Sequence, residues 1–297
     1  MHRSVLQAEV REWMRPFKDG IIVDGTLGAG GHAAMILENV KPKLLIGFDQ
    51  DPRALDEAKK VLESFGERVM VIRDNFKNVG ARLTGVGVPR VGAILLDLGV
   101  SSMQLDEPDR GFSFRSEGPI DMRMDPEGDL TAGQVVNGYS EQALQEILWK
   151  LGDERFSKRI AAAIVRARHR ARIATTTQLA RIIFEAVPAF YRHGRIHPAT
   201  RGFQAFRIFI NRELEVLEEF LSGSLSILDD HGRLVIISFH SLEDRLVKNT
   251  FRRFKKEGLG EVLTKKPVMP EEVEIQENPR SRSACLRVFE KSSGVRS

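Results

Sequence analysis

Asp24-Gly-Thr-Leu-Gly-Ala-Gly-Gly-His32 joins one apolar run, Ile21-Ile22-Val23, to another, Ala33-Ala34-Met35-Ile36-Leu37. The first reads as a buried strand and the second as a helix, so the glycines occupy a strand-to-helix turn of the kind that holds nucleotides. Without a Cβ, such a turn lets the backbone approach a ligand closely. Asp24 narrows the choice of ligand. A carboxylate at the strand end repels a pyrophosphate and suits a cationic group such as the amino group of S-adenosylmethionine. The glycines after Asp24 do not have the dehydrogenase spacing Gly-x-Gly-x-x-Gly. Gly28 and Gly30 meet the methyltransferase pattern acidic-x-Gly-x-Gly-x-Gly, with Thr26 at its first glycine, and Gly31 adds a further one.

Other candidates fall after later strand-like runs. Asp49 ends Leu44-Leu-Ile-Gly-Phe-Asp49 and suits the two hydroxyls of a ribose. Asp51, before Pro52, reads as the N-cap of the next helix. Phe76 comes after the third run, where it either covers an adenine face or packs in the core. Asp97 ends the fourth run, with Ser101 in the turn beyond it, on the edge where doubly wound sheets do their chemistry. His240 comes after the fifth, and either contacts substrate or satisfies local backbone groups. His193 and His197 are separated by Gly194 and succeeded by Pro198, so no ligand cluster emerges and no protein-bound metal site is inferred. The single cysteine, Cys285, excludes an internal disulfide and a Cys-rich zinc site, and reads as a packing residue.

The elements that must position these residues alternate. Strands are expected at 20–24, 44–49, 69–73 and 91–97, with a helix over 52–65 between the second and third. This pattern implies a parallel sheet covered by helices on both faces. Residues 98–129, rich in Gly, Pro, Asp and Ser, read as a long functional loop. Thr131-Ala-Gly-Gln134 and Thr175-Thr-Thr-Gln178 match the capping box, and Ser140 is placed to cap a third helix. Over 155–172, Phe156, Ile160, Ala163, Ala167 and Ala171 share one helical face, and Arg155, Arg159, Arg166 and Arg170 another. A long helix is expected over 200–221, then strands at 234–239, 261–265 and 286–290. A helical segment is thus inserted between the fourth and fifth strands of one sheet, which gives domains of 1–107, 108–205 and 206–297.

Composition fits an ordinary globular protein of 297 residues, 42% apolar and 29% charged. No apolar run spans a membrane and the N-terminus lacks the core of a signal peptide, so a cytoplasmic location is expected. The net charge of +4 is uneven. Residues 151–212 hold 13 Lys and Arg, 12 of them Arg, against three acids; this segment of +10 leaves −6 for the rest of the chain. Acidic partners at i,i+4 are nearly absent there, and Arg offers a planar fork for phosphate and a face that stacks on bases. The segment is therefore expected to meet a polyanion.

Several motifs in fixed order make the chain recognisable. They are Asp24–His32, Leu95-Leu-Asp-Leu-Gly-Val-Ser-Ser102, Arg110-Gly-Phe-Ser-Phe114, Asp121-Met-Arg-Met-Asp125, Glu154-Arg-Phe-Ser-Lys-Arg-Ile160, His197-Pro-Ala-Thr-Arg201, Ser238-Phe-His-Ser-Leu-Glu-Asp-Arg245 and Asn278-Pro-Arg-Ser-Arg282. Over nearly its whole length the sequence resembles the RsmH/MraW family of ribosomal RNA (cytosine-N4)-methyltransferases. The resemblance implies a Rossmann-like class I S-adenosylmethionine-dependent domain with an inserted helical domain, acting on a cytosine in the decoding region of 16S rRNA. The family's donor contacts fall on Gly30, Gly31, His32, Asp49, Phe76, Asp97 and Gln104. Asp97, with carbonyls of the turn after it, is the candidate to orient the cytosine amine; Ser101 and His240 are further catalytic candidates. Arg155, Arg159, Arg166, Arg170, His197 and Arg201 are the RNA-facing set, though His197 and Arg201 equally suit bracing the insert. Phe112 or Phe114 would stack on a flipped base or anchor the loop. The family's Asp-Leu-Gly-Val-Ser-Ser differs from the Asn/Asp-Pro-Pro-aromatic motif of other amine methyltransferases, and carbon methylation lacks a cysteine nucleophile. A nicotinamide-dependent oxidoreductase and a non-enzymatic RNA-binding assembly factor are the competing readings. Asp24 and the arginine segment oppose the first, and the intact Gly30, Asp49 and Asp97 set opposes the second. The sequence is compatible with a monomer or a homodimer.

Overall fold

The computed structural model describes residues 4–194 and 196–294. It divides into two compact units. One comprises the chain through Gly99 together with the chain from Leu214 on; the other is Val100–Glu213.

The first unit is built on seven strands: β1 (Ile21–Asp24), β2 (Leu44–Asp49), β3 (Val69–Arg73), β4 (Val91–Asp97), β5 (Leu228–Ser238), β6 (Gly260–Val262) and β7 (Cys285–Lys291). Their order is β3-β2-β1-β4-β5-β7-β6. The first five run parallel, and β7 is antiparallel to both β5 and β6. This is the mixed sheet of class I methyltransferases.

Alternation along the strands sends successive side chains to opposite faces. Ile22, Leu45, Ala93, Leu95, Val235 and Ile237 join one core, with Ala33, Ile36, Leu55 and Ala58 from helices Gly31–Asn39 and Pro52–Leu62. Val23, Ile46, Ile94, Leu96, Leu234 and Ile236 join the other, under Leu217, Phe220, Val247 and Phe251. Each fully buried Val, Leu, Ile or Phe among them stabilises by about 1.5–3 kcal/mol relative to exposure. Register sets the functional edge. Asp24 pairs with Leu95 of β4 and with Gly47 of β2, two residues before the strand-ending Asp97 and Asp49. Three neighbouring strands therefore end in carboxylates at one edge.

The second unit has its own core, which includes Phe112, Ile120, Met122, Leu144, Leu148, Ile160, Ile164, Leu179, Ile183 and Phe206. Residues 108 and 205 lie within this unit, because Val100 and Leu105 on one side and Phe206 and Phe209 on the other already pack on that core. Both capping boxes form, at Thr131 and Thr175. Ser140 caps helix Glu141–Gly152 by accepting the Ala143 N–H at 3.2 Å. Ser140→Ala is expected to lower stability by about 1 kcal/mol, to be read as a shift of the urea midpoint at unchanged slope.

Three sequence expectations need correction. The long loop is not structureless: it contains a short helix, Ser102–Asp106, and buried Arg110 ties it down by donating to the carbonyls of Arg123 and Met124 at 2.9 and 3.0 Å. The 200–221 helix is two helices, Ala199–Asn211 and Glu213–Gly223, broken at Arg212 with φ 49°. Beside the break, the Asn211 amide serves the Met122 carbonyl and the Met124 N–H at 2.8 and 2.7 Å. A bidentate Arg207–Glu213 pair, 2.8 and 3.0 Å, spans it. Finally, helix Ser157–Arg170 buries Ser157, Ile160, Ala161 and Ile164, so its stripe is rotated from the expected one, and Ala171 lies beyond its end, extended and exposed.

Candidate active site

The glycine turn answers a backbone need at two positions. Gly28 has φ +52° and Gly30 φ +85°, and Gly30 immediately precedes helix Gly31–Asn39. A Cβ on Gly30 would also press on Leu62 at 3.3 Å. Asp49 holds the turn to β2: one carboxylate oxygen accepts the Gly28 N–H at 2.8 Å and the other the Asp51 N–H at 2.9 Å. Burial pushes the half-buried Asp49 carboxyl up to about 6, against these two bonds, which favour its charged form. Asp51 accepts the Arg53 N–H at 3.1 Å, as its N-cap reading requires. Thr26 ties the turn to β4, its hydroxyl accepting the Asp97 N–H at 2.6 Å. That role was hidden in the sequence, where Thr26 shows only as a departure from a glycine pattern; a hydroxyl two residues past a strand end was the available signal.

Asp24, His32 and Asp97 converge where the turn meets β4. Asp24 is 1% exposed. One of its oxygens accepts the Thr26 N–H at 3.2 Å and the other is buried with no partner among the described residues. Both ring nitrogens of buried His32 and one oxygen of Asp97 are in the same state. The His32 Nε2 to Asp97 Oδ2 distance is 3.5 Å, an ion-pair separation too long for a strong hydrogen bond. Burial drives the Asp24 carboxyl up to about 7, offset in part by His32 and the Thr26 N–H. For His32, burial lowers basicity, but Asp97, Asp24 and Glu274 outweigh it and the imidazole is held above its usual range. Glu274, which also accepts the Leu6 N–H at 2.8 Å, was not singled out from sequence.

A buried polar atom without a partner costs about 1–3 kcal/mol. Two of them, the carboxylate oxygens of Asp24 and Asp97, make a site that fits a compact, donating cation. The amino group of S-adenosylmethionine has that chemistry, and an anionic pyrophosphate does not.

Phe76 is half-buried and packs edge-on against Phe220, with ring centroids 5.7 Å apart. His240 caps helix Ser241–Lys256, with Nδ1 accepting the Glu243 N–H at 3.4 Å and Nε2 lying 3.2 Å from the Glu243 carboxylate. In the second unit, Ser101 and Gln104 form a capping box, with bonds of 3.1 and 3.2 Å. Gln104 is buried there. Phe112 is in the core, and Phe114 is half-buried against Phe203 and the His197 ring. His197 also stacks on Phe184, and its Nδ1 accepts the Ala199 N–H at 3.1 Å. Arg201 donates to the Asp153 carbonyl at 3.1 Å. Both residues therefore make bracing contacts within the insert. Arg159, Arg166 and Arg170 are exposed, with no ion-pair partner among the described residues. Cys285 is half-buried, with burial raising its thiol pKa.

The model of the MraW methylase family matches residues 1–292. A ribosomal RNA small subunit methyltransferase H of Heliobacterium mobile is 47% identical over 307 aligned residues, covering 98% of each chain. One of Sulfurihydrogenibium azorense is 48% identical over 288, covering 97% of this chain and 98% of its own. Among solved structures, an rRNA methylase from Streptococcus thermophilus aligns over 99% of both chains with a TM-score of 0.46 and 12% identity.

Proposed function

The chain belongs to the MraW methylase family, and from that premise we propose that it transfers a methyl group from S-adenosylmethionine to the exocyclic N4 amine of a cytosine in the decoding region of 16S rRNA. The observation that carries the reading is the set of unpartnered polar atoms on Asp24, His32 and Asp97 beside the glycine turn.

When bound, the donor supplies a methyl group made electrophilic by its positive sulfur. The chain's residues do the rest. Asp24 and Asp97 receive the ammonium, and Asp49, already fixed by two N–H donors, keeps lone pairs for the ribose hydroxyls. Phe76, half-buried beside Phe220, is the aromatic side chain for the adenine. The cytosine amine is a poor nucleophile because its lone pair is delocalised into the ring. The Asp97 carboxylate orients its N–H bonds and draws the lone pair out of conjugation. Such orientation is worth up to about 7–11 kcal/mol.

The substrate is recognised through the insert. Its exposed arginines neutralise RNA phosphates, each of which contributes about −0.7 to −0.9 to the log–log salt dependence of affinity. Replacing Arg159, Arg166 and Arg170 together with Gln is expected to flatten that slope by about 2. An unchanged slope, measured by filter binding from low to moderate salt, would leave this face merely solvated. No helix among the described residues is long and apolar enough to cross a membrane, and the reaction is assigned to the cytoplasm, on an assembled or assembling small subunit.

The deciding experiment incubates the chain with methyl-labelled donor and unmodified small subunits, alongside naked 16S rRNA, and identifies the labelled nucleoside. Label in N4-methylcytidine at one position supports the reading. Donor binding without any labelled cytidine on either substrate would refute it.

A further inference from the structure

The insert carries an aromatic cluster that the donor site does not use. Arg155 lies in the turn before helix Ser157–Arg170, and its guanidinium carbon sits 4.9 Å from the Phe156 ring centroid, 4.7 Å from that of Tyr191 and 5.6 Å from that of Phe190. Phe156 packs edge-on against Tyr191 and Phe190, at 5.0 and 6.3 Å. The cluster is anchored from below. Glu154 is fully buried; one carboxylate oxygen accepts the Phe156 N–H at 2.8 Å and the other the Tyr191 hydroxyl at 3.0 Å. Burial, and then the bond to Glu154, hold the Tyr191 hydroxyl above its ordinary pKa, so it stays a donor through the physiological range.

Above this rigid base Phe190 is 71% exposed. Arg155 is exposed as well, and among the described residues it has no carboxylate partner. An exposed phenylalanine ring beside a guanidinium that has no carboxylate partner is complementary to a planar ring joined to an anion. Arg159, in the first turn of helix Ser157–Arg170, is exposed as well and adds positive charge to the segment.

We propose that Phe190, held by the Glu154–Tyr191–Phe156 cluster, is a stacking platform for one unpaired base of the RNA substrate, with Arg155 and Arg159 receiving its flanking phosphate. This rests on the RNA-methylating reading and adds a specific nucleotide subsite to it. Every base has a π-face, so the platform tolerates sequence and selects for an unstacked nucleotide. It thereby favours single-stranded or looped RNA over duplex.

The test measures affinity for unmodified small ribosomal subunits with full-length variants. Phe190→Ala and Phe190→Leu are both expected to weaken binding about 5- to 150-fold, and Phe190→Trp to preserve it. Donor affinity and kcat at saturating subunits stay at the wild-type level, and the loss appears in KM. The salt slope is unchanged by Phe190→Ala, because no charge is removed, and falls by about 0.7 in Arg155→Gln. Wild-type affinity in Phe190→Ala overturns the proposal. Full rescue by Phe190→Leu also overturns it, because bulk apolar burial, not stacking, would then be the interaction. So does a change in the chain's molar mass in solution with RNA affinity unaltered, which would assign the patch to a protein partner. The subunit-binding readout is independent of methyl transfer: absence of N4-methylcytidine with the wild-type chain would defeat the functional reading, whereas equal binding by Phe190→Ala would defeat only the platform.

Discussion

Asp24→Asn is expected to make the donor-free chain more stable at about pH 8 while removing most of its affinity for S-adenosylmethionine. The native carboxyl sits at about 7 against an ordinary 3.8, because it is buried and only one of its oxygens has a partner. Between these two values the folded chain binds more protons than the unfolded one, so stability falls as pH rises from about 4 to 7 and is lowest, with respect to this group, above 7. A shift of this size corresponds to at most about 4 kcal/mol. Asparagine keeps the acceptor for the Thr26 N–H and has no charge to desolvate, so it recovers much of that and raises Tm by several degrees. Donor binding moves the other way. Loss of one member of a buried charge pair costs about 2–5 kcal/mol, or roughly 30-fold to several thousand-fold in Kd. In the wild-type chain, donor affinity is expected to weaken as pH falls below about 7, as Asp24 takes a proton. His32, held basic by its carboxylate neighbours, gains positive charge in the same direction and adds to the effect. Titration calorimetry across pH 5.5 to 8.5 checks both. A variant that binds donor as tightly as the parent, or a wild-type profile with no inflection, would remove Asp24 from the ammonium site.

Asp97→Asn is expected to lower kcat at saturating donor by about 10²- to 10⁴-fold, the range for loss of a positioned proton acceptor. The backbone consequence is small, since it is the Asp97 N–H, not its carboxylate, that bonds Thr26. The variant's fold and glycine turn should therefore persist, with thermal unfolding near that of the parent; donor Kd weakens because Asp97 also faces the ammonium, so kcat is compared only at saturating donor. Single-turnover methylation of small subunits reads the chemical step directly. Near-normal turnover at saturating donor would mean that another group orients the amine.

Much of the sheet was legible because its strands are continuous apolar runs, closed by a carboxylate in β1, β2 and β4 and by Arg73 in β3. β2, β3 and β4 begin and end where those runs do. β5 was not: it starts at Leu228, and Asp229, Asp230 and His231 at its exposed beginning interrupt the apolar signal used to find it. The reversal of β7 leaves no local trace, since pairing direction depends on where the chain returns. At the site, the glycine turn and the strand-end acids stand out as residue types. The approach of His32 to Asp97 does not, because it depends on register between β1 and β4 and on the start of helix Gly31–Asn39. The break at Arg212 was hidden for a related reason: the Asn211 amide beside it serves carbonyl and N–H groups almost ninety positions earlier. The Phe190 cluster was invisible because neither Tyr191 nor Glu154 has a meaning apart from the other.

The position of the insert also governs the order in which the molecule can form. β4 ends at Asp97 and its parallel neighbour β5 begins at Leu228, so the central pairing of the sheet closes a loop of about 130 residues. Such a closure is slow for an unstructured chain, because its entropy is lost before any contact repays it. Of the intervening residues, Val100–Glu213 have a separate core and emerge from the ribosome before β5 does. Folding there first turns a long floppy tether into a compact body, and leaves β1 to β4 waiting as an open half-sheet. The enzyme's last strands thus arrive as a closing step in synthesis, and the carboxylate edge on β1, β2 and β4 is laid down well before the sheet that supports it is finished.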